Sequence, residues 1–186
     1  MKRTAATLAA VLALSLGLAS CETATPYQPL SSGNAVSGGF TDKKLDDTHY
    51  RVTFEGNTMT SREQVETYLL YRAAELTVNQ GFDWFEMVDR KTRNTGATYV
   101  DTFYGPGYAW GYWRPYWRFH GRFGWGRWDP YWGGPFWDGY ALDTIDQYSA
   151  VAEIALGHGP KPADDPKAFD ARQVMQNLGP QIVRPK

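Results

Sequence analysis

The residues of this chain that could do acid–base, nucleophilic or metal chemistry are few and scattered. His49, His120 and His158 are its only histidines, and none stands at a ligand spacing such as His-x₃-His. No Gly-x-Ser-x-Gly elbow presents a serine nucleophile, and Cys21 is the single thiol. Carboxylates offer more. Asp83 and Glu86 flank Trp84-Phe85, with Asp89 close behind, and acids beside aromatic rings suit the handling of a glycan. The plain reading of the same acids is the wet edge of a sheet. The pairs Arg62/Glu66 and Arg72/Glu75, four and three residues apart, read as ion pairs on a solvated helix surface. Nothing in this inventory calls for a metal or a cofactor.

The segment from Phe103 to Tyr140 differs in composition from the rest. It holds seven of the eight tryptophans, repeated Gly and Pro, and the arginines Arg114, Arg118, Arg122 and Arg127. Trp110, Trp113, Arg114, Trp117, Arg118, Trp125, Trp128 and Trp132 are the candidate ligand- or partner-binding residues. A tryptophan joins a large apolar face to a polar tip, which suits stacking on sugars, a membrane interface or a protein hot spot. An interleaved arginine can stack on those rings or meet anionic groups. The alternative is that the rings fold back and bury one another over their own domain. Neither period 2 nor period 3.6 runs through the segment, and Pro106, Pro115, Pro130 and Pro135 interrupt it, so it is expected to be a long loop, ordered in places, not an element.

Location is written at the start of the chain. Lys2 and Arg3 precede an apolar and small-residue run from Ala5 to Leu18, the layout of a secretory signal and too short to span a bilayer, which needs roughly 20 apolar residues. The run ends in Leu18-Ala19-Ser20-Cys21, which resembles the lipobox of bacterial lipoproteins. That resemblance implies cleavage before Cys21 and acylation of its sulfur, which leaves no thiol for a disulfide, a metal or catalysis. Each buried lipid CH₂ contributes about 0.8 kcal/mol, so several acyl chains hold almost irreversibly. Glu22 rather than Asp after the cysteine implies the outer membrane, facing the periplasm. Without residues 1–20 the chain carries 17 basic and 20 acidic residues, a net charge of −3, and gives no general basicity to attract nucleic acid.

The elements follow from spacing. Residues 21–39, rich in Thr, Pro, Ser and Gly, are expected to be a flexible tether reaching roughly 60 Å when extended. Tyr50, Val52 and Phe54 alternate with polar residues as a strand, with 40–45 as a weaker edge strand beside it. Thr60 and Glu63 form a capping-box pattern ahead of a helix whose apolar stripe includes Val65, Leu69, Ala73 and Leu76, with Gly81 as its stop. Phe82 to Val88 reads as the next strand, and a strand–helix–strand crossover usually makes parallel neighbours. Ser149 to Leu156 alternates again. Asp165 as N-cap, Pro166 at the first position and Gly179-Pro180 as a stop mark a second helix. The expected fold is α+β: one domain over 40–180 with a small mixed sheet of about four strands on two helices, an aromatic insertion at 103–140, and a tail at 181–186.

The stretches Thr25-Pro26-Tyr27-Gln28-Pro29, Asp46-Asp47-Thr48-His49-Tyr50, Tyr68-Leu69-Leu70-Tyr71-Arg72-Ala73-Ala74-Glu75-Leu76-Thr77, Gly81-Phe82-Asp83-Trp84-Phe85 and Asn177-Leu178-Gly179-Pro180 resemble a family of proteobacterial lipoproteins of unknown function. The likeness covers nearly all of the chain after Cys21, the Trp- and Gly-rich middle included. It implies a periplasm-facing lipoprotein and carries no catalytic residues. The expected role is therefore non-enzymatic, binding or structural, with membrane lipid as one partner through Cys21 and peptidoglycan or an envelope protein as another. An enzyme using Asp83 and Glu86 on cell-wall glycan is the alternative.

Overall fold

The alternation at Tyr50, Val52 and Phe54 makes a strand because each of these side chains finds an apolar partner across a ladder. The computed structural model describes residues 23–88, 116–121, 124–127, 147–165 and 167–185. Its strands are β1 (Gly39–Lys44), β2 (His49–Glu55), β3 (Trp84–Met87), β4 (Tyr116–Gly121), β5 (Gly124–Arg127), β6 (Gln147–Gly157) and β7 (Ala168–Asp170). The helices are α1 (Arg62–Asn79) and α2 (Ala171–Leu178), the latter followed by a 3₁₀ turn at Gly179–Gln181. None of the helices among the described residues is long and apolar enough to cross a membrane.

The fold is α+β, and the sheet is antiparallel where a mixed one was expected. Its order is β1-β2-β6-β3-β7, with β4 also on β6 and β5 on β4. The crossover through α1 does leave β2 and β3 running the same way. Yet β6 inserts between them antiparallel to both, as in a split β-α-β unit. Two antiparallel ladders replace one parallel ladder, whose slanted hydrogen bonds are slightly weaker per residue. Tyr50, Val52 and Phe54 stand opposite Ile154, Ala152 and Ala150, and Phe85 opposite Leu156. All of these side chains are buried, together with the α1 stripe of Val65, Leu69, Ala73 and Leu76.

One edge of β6 serves two strands. β3 pairs with it from Gly157 to Ile154, and β4 runs in the same direction from Val151 to Gln147. The Val88 amide still donates to the Glu153 carbonyl at 2.9 Å, so β4 takes up the line that β3 leaves. Residues 89–115 separate β3 and β4 in sequence.

Several boundaries move for local reasons. Ser61, not Thr60, caps α1: its side chain accepts from the Gln64 amide at 3.1 Å. Gly81, at φ +83°, ends that helix in a Schellman pair, Phe82 N–H to Thr77 O and Gly81 N–H to Val78 O. Asp170 caps α2 in place of Asp165, because 168–170 are taken up as β7 beside β3. The expectation of no element between 103 and 140 is corrected by β4 and β5. Trp117 and Phe119 alternate with Arg118 and His120 there, and the surrounding aromatics hid that short period-2 run.

The tether and the tail are also corrected. Thr25, Tyr27 and Gln28 are buried, and Pro29 bridges Phe40 in parallel. The Tyr27 ring meets Tyr68 and Tyr71 edge-on, with centroids 5.8 and 5.2 Å away. Its amide donates to the Val183 carbonyl at 2.7 Å, while the Val183 amide donates to the Tyr68 hydroxyl at 3.1 Å. Both ends of the described chain therefore cross α1 and hold each other down. One buried tyrosine, worth about 1.5–3 kcal/mol of apolar transfer, outweighs the composition that read as a linker.

Candidate functional site

The described part of the start of the chain is fixed by a buried polar knot. Asn57 follows β2, and its side-chain amide donates to the Thr23 carbonyl at 2.7 Å. Its side-chain oxygen accepts from the Met59 amide at 3.1 Å and the Thr60 hydroxyl at 2.7 Å. The Asn57 amide donates to the hydroxyls of Thr25 and Thr60, and the Thr25 amide donates to the Thr60 hydroxyl. Asn57 is 3% exposed, so a lost partner here would leave a buried polar group unsatisfied. Thr60 is thus spent on holding the N-terminal segment, which is why the next residue caps the helix. Met59, at the tip of the same loop, is 57% exposed.

A second knot holds the segment further along. Tyr27 donates its hydroxyl to Glu75, which also pairs with Arg72, and Arg72 pairs with Asp42 of β1. Burial first, then the Glu75 carboxylate, raises the pKa of the Tyr27 hydroxyl. Burial works against Arg72, but the hydrogen bond and charge of Asp42 outweigh it and leave its pKa raised. The Arg72/Glu75 pair is a half-buried clasp between N-terminus, helix and sheet, not the solvated pair expected. Glu66 differs too: it is 6% exposed, and burial lifts its carboxyl to about 7 against the pull of Arg62.

The two acids singled out for glycan chemistry have separate partners. Asp83 accepts from the Gly159 amide at 2.7 Å and from Arg172 at 2.8 Å. Those bonds, the Gly159 one first, hold its carboxyl below the usual range. Its backbone carbonyl accepts from the first α2 amide, Ala171. Asp83 joins three segments. Glu86 lies three residues on, within β3, whereas Asp83 precedes that strand. Burial raises its pKa, and so does a hydrogen bond with Asp165. Asp165 is lowered, first by the Lys167 amide and then by that same bond.

Of the expected binding residues, Cys21, Trp110, Trp113, Arg114, Trp128 and Trp132 lie outside the described residues. Trp117 and Trp125 fall in β4 and β5, where Trp117 pairs with Ala150 and Trp125 with His120. Arg118 is exposed, opposite Ser149 of β6 and Arg127 of β5. The histidines do not converge. His49 Nδ1 lies 2.7 Å from Asp46, His158 stacks on Phe82, and His120 stands near the hairpin turn. No group of three metal-ligating side chains gathers among the described residues.

Sequence reasoning missed the Asn57 knot. Its signal was Asn-Thr-Met-Thr-Ser between strand and helix, which offers more side-chain acceptors than one cap uses. No protein-family model, no curated protein and no solved structure matches this chain.

Proposed function

We propose that the chain is a lipoprotein of the bacterial cell envelope, anchored through acylated Cys21 to the outer membrane and facing the periplasm, of the family its motifs resemble. Its role is binding or structural, directed at peptidoglycan or another envelope protein, and not enzymatic. The observation that carries this reading is Leu18-Ala19-Ser20-Cys21 closing the apolar run behind Lys2 and Arg3. The separate engagements of Asp83 and Glu86 support the non-catalytic side.

Labelled palmitate tests the anchor. Cells expressing the chain incorporate label into it, and Cys21→Ser abolishes incorporation; label that survives the change overturns the reading. Envelope cross-linking tests the role. Removing 103–140 whole would also take β4 and β5 off the sheet, so the informative variant replaces 90–114 and 129–145 with short Gly-Ser linkers. Cross-linked partners are lost from this variant while its circular dichroism keeps the helix and sheet signal. Partners retained without those aromatics would refute binding through them.

A further inference from the structure

On the basis of the acylated Cys21 proposed above, we infer that the loop 56–61, with Met59 at its tip, rests on the bilayer that holds the anchor, so that the protein stands on the membrane in one orientation.

The argument begins with chain length. Thr23 is already docked, its carbonyl held by Asn57 at 2.7 Å. Cys21 is two residues away, and two residues span at most about 7 Å. An acyl-bearing residue cannot leave the membrane surface, so Thr23 and whatever shares its site stay within that reach of the lipid headgroups. What shares its site is the loop. One Asn57 side chain binds Thr23 through its nitrogen and the Met59 amide through its oxygen.

The exposed residues of this loop suit an interface: Thr58, Met59 and Ser61 are exposed, while Gly56, Asn57 and Thr60 are buried beneath them. Met59 is one of only three large apolar side chains exposed among the described residues. A flexible thioether on an otherwise polar turn is suited to the headgroup layer.

The same end of the sheet carries the hairpin. The Gly56 amide donates to the Tyr148 carbonyl at 2.9 Å, at the start of β6. His120 of β4 stands opposite Gln147, and Gly121 of β4 pairs with Gly124 of β5. Anchor, loop and the Gly121/Gly124 end of the β4–β5 pair thus share one end. The β1–β2 turn at Asp46 and Asp47 is at the other, six steps of about 3.4 Å further along β2.

The test uses the full chain purified with its lipid and reconstituted into phosphatidylethanolamine/phosphatidylglycerol vesicles containing doxyl-labelled lipid. Acylation occupies Cys21, so a cysteine introduced by Met59→Cys or Asp47→Cys is the only thiol to take an environment-sensitive fluorophore. Label at position 59 shifts to the blue and is quenched by the doxyl lipid; label at 47 does neither. Inserting a Gly-Ser linker of about 20 residues between Glu22 and Thr23, a coil of roughly 25 Å, removes the contrast. Equal signals at 59 and 47, or a contrast unchanged by the linker, overturn the inference while palmitate incorporation leaves the anchor standing. Absence of palmitate in the same preparation overturns the anchor itself, and the inference with it.

Discussion

Tyr27→Ala separates a docked N-terminal segment from a free one. Tyr27 is 2% exposed and sits among Phe40, Tyr68 and Tyr71, with centroids 4.9–5.8 Å away. Truncating a buried aromatic of this kind costs about 3–5 kcal/mol, the transfer of the ring plus the cavity left behind. In a domain of this size that lowers Tm by roughly 6–20 °C. Tyr27→Phe keeps the packing and removes the hydroxyl given to Glu75. Its cost is about 1.5 kcal/mol, the lower end for a bond to a charged group, since Arg72 and Arg184 keep that carboxylate paired. Urea unfolding of the Cys21→Ser protein, followed by far-UV circular dichroism, measures both. A midpoint unmoved by Tyr27→Ala would refute the docking and restore the flexible tether.

Two further outcomes follow from the same packing. Burial raises the Glu66 carboxyl to about 7, so the folded state binds a proton that the unfolded chain, with its ordinary pKa near 4.5, releases. Stability therefore falls as pH rises from about 4.5 through 7, by up to roughly 3 kcal/mol, and Glu66→Gln recovers most of that loss at pH 8; unfolding midpoints at pH 5 and 8 that do not differ between the two proteins would contradict this. At Gly157, a Cβ would run into the Trp84 indole, so Gly157→Ala displaces the ring at a cost of about 1–3 kcal/mol. Thermal unfolding with Trp84→Leu in the same background checks the source, because the penalty shrinks once the ring is gone.

The parts of the fold that could be read from sequence are those where one local rule decides. β2 and the middle of α1 are fixed by periodicity, and the end of α1 by Gly81, because each pattern has one structural solution. Partner choice is different. Nothing in Trp84 to Met87 says that its neighbour is β6 rather than β2, since register across a ladder depends on residues more than sixty positions away. The start of α2 was misplaced because Asp165-Pro166 is a sound local signal that lost to β7, where 168–170 complete the edge of β3. The N-terminal segment was missed for a related reason. Its composition describes the chain alone, while its position depends on the groove that Tyr68, Tyr71 and Val183 create. The two carboxylates were legible as candidates, but their partners, Arg172 and Asp165, lie 89 and 79 residues further along.

These long-range choices bear on the aromatic segment. Val88 is bonded at the level of Glu153, and β4 begins at Tyr116, opposite Val151. β5 ends at Arg127, whose partner Arg118 faces Ser149, and β6 begins at Gln147. Val88 and Tyr116 meet β6 at Glu153 and Val151, Gln147 is its first residue, and Arg127 pairs with β4 and not with β6. Most of the tryptophans expected to bind a partner fall in sequence between these strands, and Trp117 and Trp125 fall in β4 and β5. β4 and the start of β6 lie at the end of the sheet that also receives the N-terminal segment at Gly56 and Asn57. Under the acylation proposed for Cys21, the constraint that sets how far the body stands from the membrane also keeps β4 and the start of β6 near it. Lengthening the link before Thr23 would then move that end of the sheet relative to the membrane without altering the pairing of β4 with β6.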